Sequence, residues 1–219
     1  MDPFDHFSPQ ALTFLSDLKA NNDKTWFAAH KQVYEQEIKE PAKGFALAMS
    51  AALSTTTGRA HHAKIYRIHR DIRFSKDKTP YNTHIHLSFA PEEGGPNTPM
   101  WFFGLGLEKL SLGCGVFQFD KDGLTAFRDQ MAGDRGAALI ALTTRLQDTG
   151  LRVSAPALKR VPSGFDKDHP HAEALRRKGF SAWKDISDTG FVTQPDLVTR
   201  TVSEMTPLRE VFDFLSDIA

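Results

Sequence analysis

The segment from Lys64 to His86 holds the chain's densest set of groups that could bind an anion. Six lysines and arginines stand there against two aspartates, and three histidines are interspersed. Apolar and polar residues alternate over Lys64–Phe74, which predicts a strand with Arg67 and Arg73 on its polar face. A guanidinium held on a strand suits bidentate capture of phosphate or carboxylate. We expect an anion-binding site built from Arg67, Arg73, Lys76, Lys78, Tyr81 and His84.

The spacing of the two arginines predicts two separate anion loci. Residues six apart on a strand lie about 20 Å apart, so Arg67 and Arg73 could not hold one phosphate together. Arg73 is close in sequence to Lys76, Lys78 and Tyr81. We therefore expect the stronger locus at the Arg73 end and a weaker one near Arg67.

Two other interpretations of this basic segment remain open. Its cations could form an internal ion-pair network with residues such as Asp71, or they could contact a nucleic-acid backbone. The sequence Ser75–Thr79 lacks the glycines of a P-loop, which excludes a nucleotide cradle of that kind. Arg70 falls on the apolar face of the predicted strand and needs a carboxylate partner there, which we expect from the N-terminal helices.

Histidines on a second predicted strand, Thr83–Ala90, could add further chemistry. His84 and His86 are two residues apart and therefore point to the same side. If the two strands pair, His69 could join them, and three imidazoles on one face could bind a divalent metal ion or transfer protons. A polar, solvated face is the alternative. No His-Glu-x-x-His motif is present, and we expect no metal site and no cofactor.

Glycines mark the next two predicted strands, Met100–Leu107 and Leu110–Phe119. A hairpin centred at Glu108-Lys109 would place Gly104 opposite Gly113. One face of this hairpin carries four glycines and is almost bare. Such a surface suits either a closely packed helix or the floor of a ligand cleft.

A second basic region, Arg152–Lys184, contains eight lysines and arginines against three acidic residues. Arg176, Arg177 and Lys178 fall in the last turn of a predicted helix, where cations offset the helix dipole. The alternative is a role in binding: if this region folds back near Lys64–His86, the two would form one electropositive cleft.

Composition and charge exclude several classes of protein. The 219 residues carry 27 basic and 27 acidic side chains, a formal net charge of zero that argues against a protein coating DNA. The single cysteine, Cys114, excludes an intrachain disulfide and is expected to be buried. No apolar run reaches about 18 residues, and the acidic, aromatic N-terminus is unlike a signal peptide. We expect a soluble cytoplasmic protein with no membrane partner.

The order of predicted elements is helices, then antiparallel strands, then helices, which is typical of α+β proteins. We expect a single α+β domain over residues 1–219, with an antiparallel sheet of at least four strands flanked by N- and C-terminal helices. Helices are predicted from about Pro9 to Ala20, Lys24 to Glu40, Asp122 to Met131, Gly136 to Asp148 and Met205 to Ile218. Pro41 either kinks the second of these helices or starts a third one that runs to Leu53. A further helix begins at Asp168 or at His169-Pro170 and is predicted to run to Lys178. Short strands are predicted over Leu151–Val153 and Leu158–Val161.

Several specific strings in the sequence carry a resemblance to a known family. They are Arg70-Asp-Ile-Arg-Phe-Ser-Lys-Asp-Lys-Thr-Pro-Tyr81, Trp26-Phe27 with Tyr34 and Pro41 upstream, the glycine-rich strands, and Leu158–Pro170 with Lys178-Gly-Phe180 downstream. With these strings the chain resembles a bacterial and fungal family known as domain of unknown function 2461, over most of its length, from about Phe7 to Ile218. The family implies no established activity, so the function must be inferred from the residues.

Three hypotheses for the function follow. The leading one is a basic cleft for an anionic small molecule; if it is catalytic, phosphoryl- or acyl-group chemistry fits, with His84 or His69 as the proton-transfer group. The second is a non-catalytic module that binds an acidic partner or nucleic acid, with nucleic acid the less expected of the two. The third is a purely structural network of ion pairs. The sequence distinguishes neither an enzyme from a binding protein nor one oligomeric state from another.

Overall fold

The computed structural model describes residues 4–218 and has the expected α+β architecture, with helices at both ends of the chain and an antiparallel sheet. The six strands are β1 (His61–Ile65), β2 (Ile85–Pro91), β3 (Met100–Leu105), β4 (Leu110–Val116), β5 (Arg152–Val153) and β6 (Phe180–Ile186). They are hydrogen-bonded in the order β1-β2-β3-β4-β6-β5.

The chain divides into two compact units, and the expectation of a single domain stays a prediction. The first unit comprises Met1–Phe89, Phe102–Ser111 and Ile186–Glu204, and the second comprises Ala90–Trp101, Leu112–Asp185 and Met205–Ala219. Every residue of the candidate site described below belongs to the first unit.

The first helix is confirmed. Helix α1 (Pro9–Ala20) has Ser8 at its N-cap and a proline in its first turn, and it buries Phe14, Leu15 and Leu18. Asp23 then begins helix α2 (Lys24–Ala29), because its carboxylate accepts hydrogen bonds from two backbone N–H groups of the first turn.

The helix predicted over Lys24–Glu40 is correct in extent but not continuous. It consists of α2, the short α3 (Lys31–Val33) and a π-helical segment (Tyr34–Lys39). Helix α4 (Glu40–Thr57) follows directly and begins with Pro41 in its first turn. It ends at Gly58, whose φ of 72° is the left-handed conformation that glycine adopts most easily.

The strand predicted over Lys64–Phe74 is wrong beyond Ile65, where β1 ends. The Asp71 carboxylate accepts a hydrogen bond from the backbone N–H of Arg73, and the Asp77 carboxylate accepts one from Thr79. Local bonds of this kind offer the backbone an alternative to strand pairing. Residues 66–84 consequently form an irregular segment, here called the basic loop. Phe74 is 95% exposed in it.

In the second half of the chain, the helix predictions become less accurate towards the C-terminus. Helices α5 (Lys121–Met131), α6 (Asp134–Asp148), α7 (Ala172–Leu175), α8 (Leu197–Met205) and α9 (Arg209–Ser216) are present. The α5 and α6 predictions are confirmed, whereas α7 is shorter than expected and α8 was not predicted. The strand predicted over Leu158–Val161 is absent, and β6 is a strand that the sequence analysis missed.

The β3–β4 hairpin has the predicted apolar face but a different turn. The Gly106 N–H donates to the Lys109 carbonyl, which centres the turn on Leu107-Glu108 and places Gly104 beside Ser111 rather than Gly113. A shift of two residues preserves the faces. Cys114 is therefore fully buried as predicted, and burial raises the pKa of its thiol well above the usual range.

Side chains of the neighbouring strands cover the glycine-rich face at two positions. The imidazole of His86 lies on Gly104, and the indole of Trp183 lies on Gly113. A Cβ atom at Gly113 would come within 2.5 Å of the indole. At these two positions the surface is neither packed by a helix nor open as a cleft floor, which the sequence analysis had offered as the two alternatives.

No helix between residues 4 and 218 is long and apolar enough to cross a membrane.

Candidate functional site

A cleft of about 320 Å³ opens beside the basic loop, within the first unit. We call it the arginine cleft. Its lining residues are Tyr66, Arg67, His69, Arg70, Asp71, Asn82, His84 and His86. Of the predicted site residues, Arg67 and His84 line this cleft, whereas Arg73, Lys76, Lys78 and Tyr81 do not.

The backbone around Arg67 is held in place by the returning arm of the basic loop. The Asn82 N–H donates to the Ile68 carbonyl at 2.7 Å, and the Arg70 N–H donates to the Pro80 carbonyl at 2.8 Å. The Asn82 side-chain amide also donates to the Arg67 carbonyl at 3.3 Å. Ile68 is buried and anchors the first arm of the loop, which carries Arg67, in the core. Arg67 therefore projects from a fixed backbone.

The Arg67 guanidinium is exposed and takes part in no hydrogen bond or ion pair within residues 4–218. The carboxylate that lines the cleft, Asp71, is already engaged by Arg73. Two hydrogen bonds from the Arg73 guanidinium, at 2.9 and 2.7 Å, are the main reason that the pKa of Asp71 is lowered, and the charge of Arg67 lowers it further. The cationic charge of Arg67 is therefore the least compensated of the cleft.

Arg70 lines the cleft but its charge is neutralised within the basic loop. Its guanidinium donates to the Asp77 carboxylate at 2.7 Å and to both oxygens of Thr79. The pKa of Asp77 is lowered to about 2, first by the backbone N–H of Thr79 and then by Arg70. The expected carboxylate partner exists, but the expectation that it would come from the N-terminal helices is wrong.

The far part of the basic loop carries three more of the predicted site residues. Arg73 is exposed and forms the bidentate pair with Asp71. Lys78 donates to the carbonyl of Ile72 at 3.0 Å. Lys76 is exposed. None of these three cations lines the arginine cleft with Arg67.

Tyr81 is a packing residue that fixes the end of the basic loop. Its ring is buried and stacks on Phe27, with the ring centroids 4.1 Å apart. The side chain of Asn22 bonds both the backbone N–H and the carbonyl of Tyr81. An isolated bridge to His69 completes the attachment. Tyr81 consequently supports the arm that carries Arg67.

His84 and His86 form a stacked pair on β2 and the residues just before it, with their ring centroids 3.8 Å apart. Burial, and secondarily the charge of Arg70, lowers the pKa of His84. Desolvation, and secondarily His84, lowers the pKa of His86 to about 4, although part of the His86 ring stays exposed. Both imidazoles are therefore neutral at pH 7, and each has one N–H group to donate.

Gly104 allows the His86 ring to adopt this position. A Cβ atom there would lie 3.1 and 3.2 Å from two atoms of the imidazole, closer than an ordinary contact. The sequence pattern identified the bare glycine surface, but only the sheet order shows that a histidine occupies it. Tyr66 and Asn82 also line the arginine cleft, and the sequence analysis did not select them.

The arrangement suits an anion better than a metal ion. Within the described residues 4–218, no cluster of three or more His, Cys, Asp or Glu side chains could hold a metal ion. The cleft instead combines an unpaired guanidinium with two neutral imidazoles and the Asn82 amide. All of these groups can donate hydrogen bonds to an oxyanion.

The second basic region has partners of its own within the second unit. Arg177 is buried, and its guanidinium donates to Glu173 at 2.7 Å and to the carbonyl of Ser154. Arg152 pairs with Asp185 at 3.2 Å. These contacts favour a structural role for both arginines.

Fold and site together define an α+β protein with a basic cleft in one of its compact units. The family model of a conserved hypothetical protein, DUF2461, matches residues 10–214, and the chain belongs to this family. This match confirms the resemblance carried by the sequence strings. None of the curated proteins compared with the chain matches it.

Proposed function

We propose that the arginine cleft binds an anion of the phosphate or carboxylate type. The observation that carries the proposal is the unpaired guanidinium of Arg67, held on a fixed backbone at the edge of a cleft. A guanidinium in this state can form two parallel hydrogen bonds to an oxyanion. The neutral imidazoles of His84 and His86 supply further donors beside it.

The charge balance of the cleft supports the same proposal. Arg70 is neutralised by Asp77, and Asp71 is neutralised by Arg73. Arg67 is left as an excess positive charge. An anion would compensate this charge. It would also favour protonation of His84, because burial and the charge of Arg70 lower the pKa of His84 in the free protein.

Isothermal titration calorimetry with inorganic phosphate and with acetate tests the proposal at low ionic strength. We expect Arg67→Ala to weaken binding of the preferred anion by at least about tenfold, because the variant loses the charge and both parallel hydrogen bonds of the guanidinium. Arg160→Ala is the matched control, because Arg160 is an exposed arginine outside the cleft. The proposal would be refuted if the protein bound neither anion, or if Arg67→Ala and Arg160→Ala lost affinity equally.

Salt dependence separates this proposal from that of a module for an acidic partner or nucleic acid. A small anion held by one guanidinium should lose affinity gradually as ionic strength rises. Binding of a polyanion would fall by several orders of magnitude over the same range, because many counterions are released. A steep fall for oligonucleotides, together with no phosphate binding, would favour the module.

If the cleft is catalytic, we propose His84 as its proton-transfer group. A neutral imidazole beside a bound oxyanion can accept a proton, and burial, with a smaller effect of the Arg70 charge, holds the pKa of His84 below its ordinary value. His69 is the alternative, since it lines the same cleft. We retain the cytoplasm as the proposed location, which suits a chain with a single, buried cysteine.

A further inference from the structure

A second cleft of about 420 Å³ lies next to the arginine cleft in the same unit. We call it the aromatic cleft. Its apolar lining comes from Phe27, Ala28, Tyr34, Ile68 and Tyr81, and its polar lining from Lys24, Lys31, Glu35, Lys39, Arg67 and His69. Arg67 and His69 line both clefts, so the two are adjacent at these residues. The volume falls within the range of small-molecule sites, about 300–1,000 Å³.

Three aromatic rings form the apolar part of this cleft. Phe27 stacks on Tyr81 and also packs against Tyr34, at a centroid distance of 5.2 Å. The edge of His69 meets Phe27 at 5.9 Å. These contacts hold the rings in place before any ligand binds, which reduces the entropy that binding would cost.

Tyr34 is the ring with an unused polar group. It opens the π-helical segment, a type of structure that occurs frequently at functional sites. Its side chain is half-buried, and burial raises the pKa of its hydroxyl. Among residues 4–218 the hydroxyl has no hydrogen-bond partner, so it remains available to a ligand.

The polar rim of the aromatic cleft is cationic. Glu35 is its only acidic lining residue, and the Lys39 ammonium pairs with it at 2.7 Å. Lys24 and Lys31 are exposed and form no ion pair within the described chain. With Arg67 they leave a surplus of three positive charges around an apolar interior.

We infer that the two clefts together bind an organic anion that carries an apolar ring. The inference rests on the proposed function: the anionic group binds at Arg67, and the ring enters the aromatic cleft. An inorganic anion would leave the apolar lining of the aromatic cleft in contact with water. A neutral apolar molecule would leave the cationic rim unpaired. An aryl phosphate or an aryl carboxylate satisfies both parts.

Phenyl phosphate and methyl phosphate are the probes, measured by isothermal titration calorimetry at pH 7 and low salt. We expect phenyl phosphate to bind about tenfold more tightly, because its ring leaves water for an apolar surface. Benzoate and acetate form a parallel pair that distinguishes a carboxylate from a phosphate group. Inorganic phosphate reports on the arginine cleft alone.

Two alanines at the end of α2 provide matched variants. Both alanines are exposed, but only Ala28 lines the aromatic cleft. Ala28→Leu should fill the cleft and reduce the affinity for phenyl phosphate to that for methyl phosphate, with inorganic phosphate unaffected. Ala29→Leu should preserve the tenfold preference. Leucine favours helix in both positions, so folding is comparable.

The outcomes separate this inference from the proposal on which it rests. If both esters bind equally and both depend on Arg67, the ligand class is wrong and the anion site stands. A preference for phenyl phosphate that survives Ala28→Leu places the ring elsewhere and overturns the inference. If binding of phenyl phosphate is weakened by Ala28→Leu but not by Arg67→Ala, the anion site is refuted, and the combined ligand is refuted with it. No binding of any probe refutes both.

Discussion

Arg67 and Arg73 lie six residues apart in one basic loop, yet only Arg73 is held in an ion pair. Arg73 forms a bidentate pair with Asp71 two residues away, and Lys78 bonds a carbonyl of the same loop. Arg67 projects into a cleft beside two stacked histidines and has no such partner in the described chain. The far part of the loop satisfies its own charges, while the part beside the cleft does not.

The difference shows that a surplus of charge in a sequence does not by itself locate a binding site. The cations of the far part stabilise the turns of the loop, and those turns position the arm that carries Arg67. The sequence spacing predicts the stronger anion locus at Arg73, and that prediction is untested. The contacts favour Arg67, because its guanidinium need not leave an existing partner in order to bind a ligand.

The largest expected effect is on stability, and it contrasts Arg70 with Arg67. Arg70→Ala should lower the free energy of unfolding by about 1–2 kcal/mol, because it removes hydrogen bonds to Thr79 and to the largely exposed carboxylate of Asp77. Arg67→Ala should change it by no more than about 0.5 kcal/mol. Denaturant midpoints measure both. Equal losses in the two variants would contradict the division of the loop into scaffold and site.

A smaller effect concerns the pH dependence of stability through His86. Its pKa is lowered from 6.5 to about 4 in the folded protein, so the unfolded chain binds more protons between these values. The His86 contribution is present above pH 6.5 and is lost as the pH falls towards 4. Because solvent screens the partly exposed ring, we expect about 1 kcal/mol rather than the full value of the shift.

His86→Asn should reduce this loss on acidification, whereas His62→Asn, at an exposed position of β1, should leave it unchanged. Unfolding by urea at pH 7 and at pH 4.5 measures the difference. If the wild-type protein and His86→Asn lose the same free energy between the two pH values, the account of the stacked histidines is incorrect.

A still smaller effect concerns the support of His86 by Gly104. Gly104→Ala should displace the imidazole by a few tenths of an ångström and weaken phosphate binding by about threefold, with a stability loss of about 1 kcal/mol or less. Gly106→Ala is the control, because a Cβ atom there meets only the Lys109 carbonyl at 3.4 Å. Calorimetric titration of the two variants should separate them; identical affinities would remove His86 from the site.

The fold was predictable where one periodic pattern extended over a whole element. Helix α4 and the inward face of β4 follow from regular spacing of apolar residues, since burial on one face determines both. The strand over Lys64–Phe74 shows the limit. Its alternation is real, but the carboxylates of Asp71 and Asp77 bond the backbone locally and turn the chain, and alternation does not report such bonds.

The candidate site was predictable only in part, for a related reason. The sequence could select Arg67 and His84 by type and spacing. It could not show that Asp71 would engage Arg73 and leave Arg67 unpaired. The aromatic cleft was not predictable from local sequence. Phe27 and Tyr81 are far apart along the chain and stack only in the folded protein. Sequence located the basic segment, and tertiary contacts decided which of its cations is available.

The most direct test of this account is the rise in melting temperature that phosphate produces in Arg67→Ala and Arg73→Ala. Each variant removes one positive charge from the basic loop, so nonspecific effects of charge are matched. The account predicts that phosphate stabilises the wild-type protein and Arg73→Ala alike at low salt, and that Arg67→Ala needs at least about tenfold more phosphate for the same rise in melting temperature. A response that disappears in Arg73→Ala but persists in Arg67→Ala would contradict it and would place the anion at the other end of the loop.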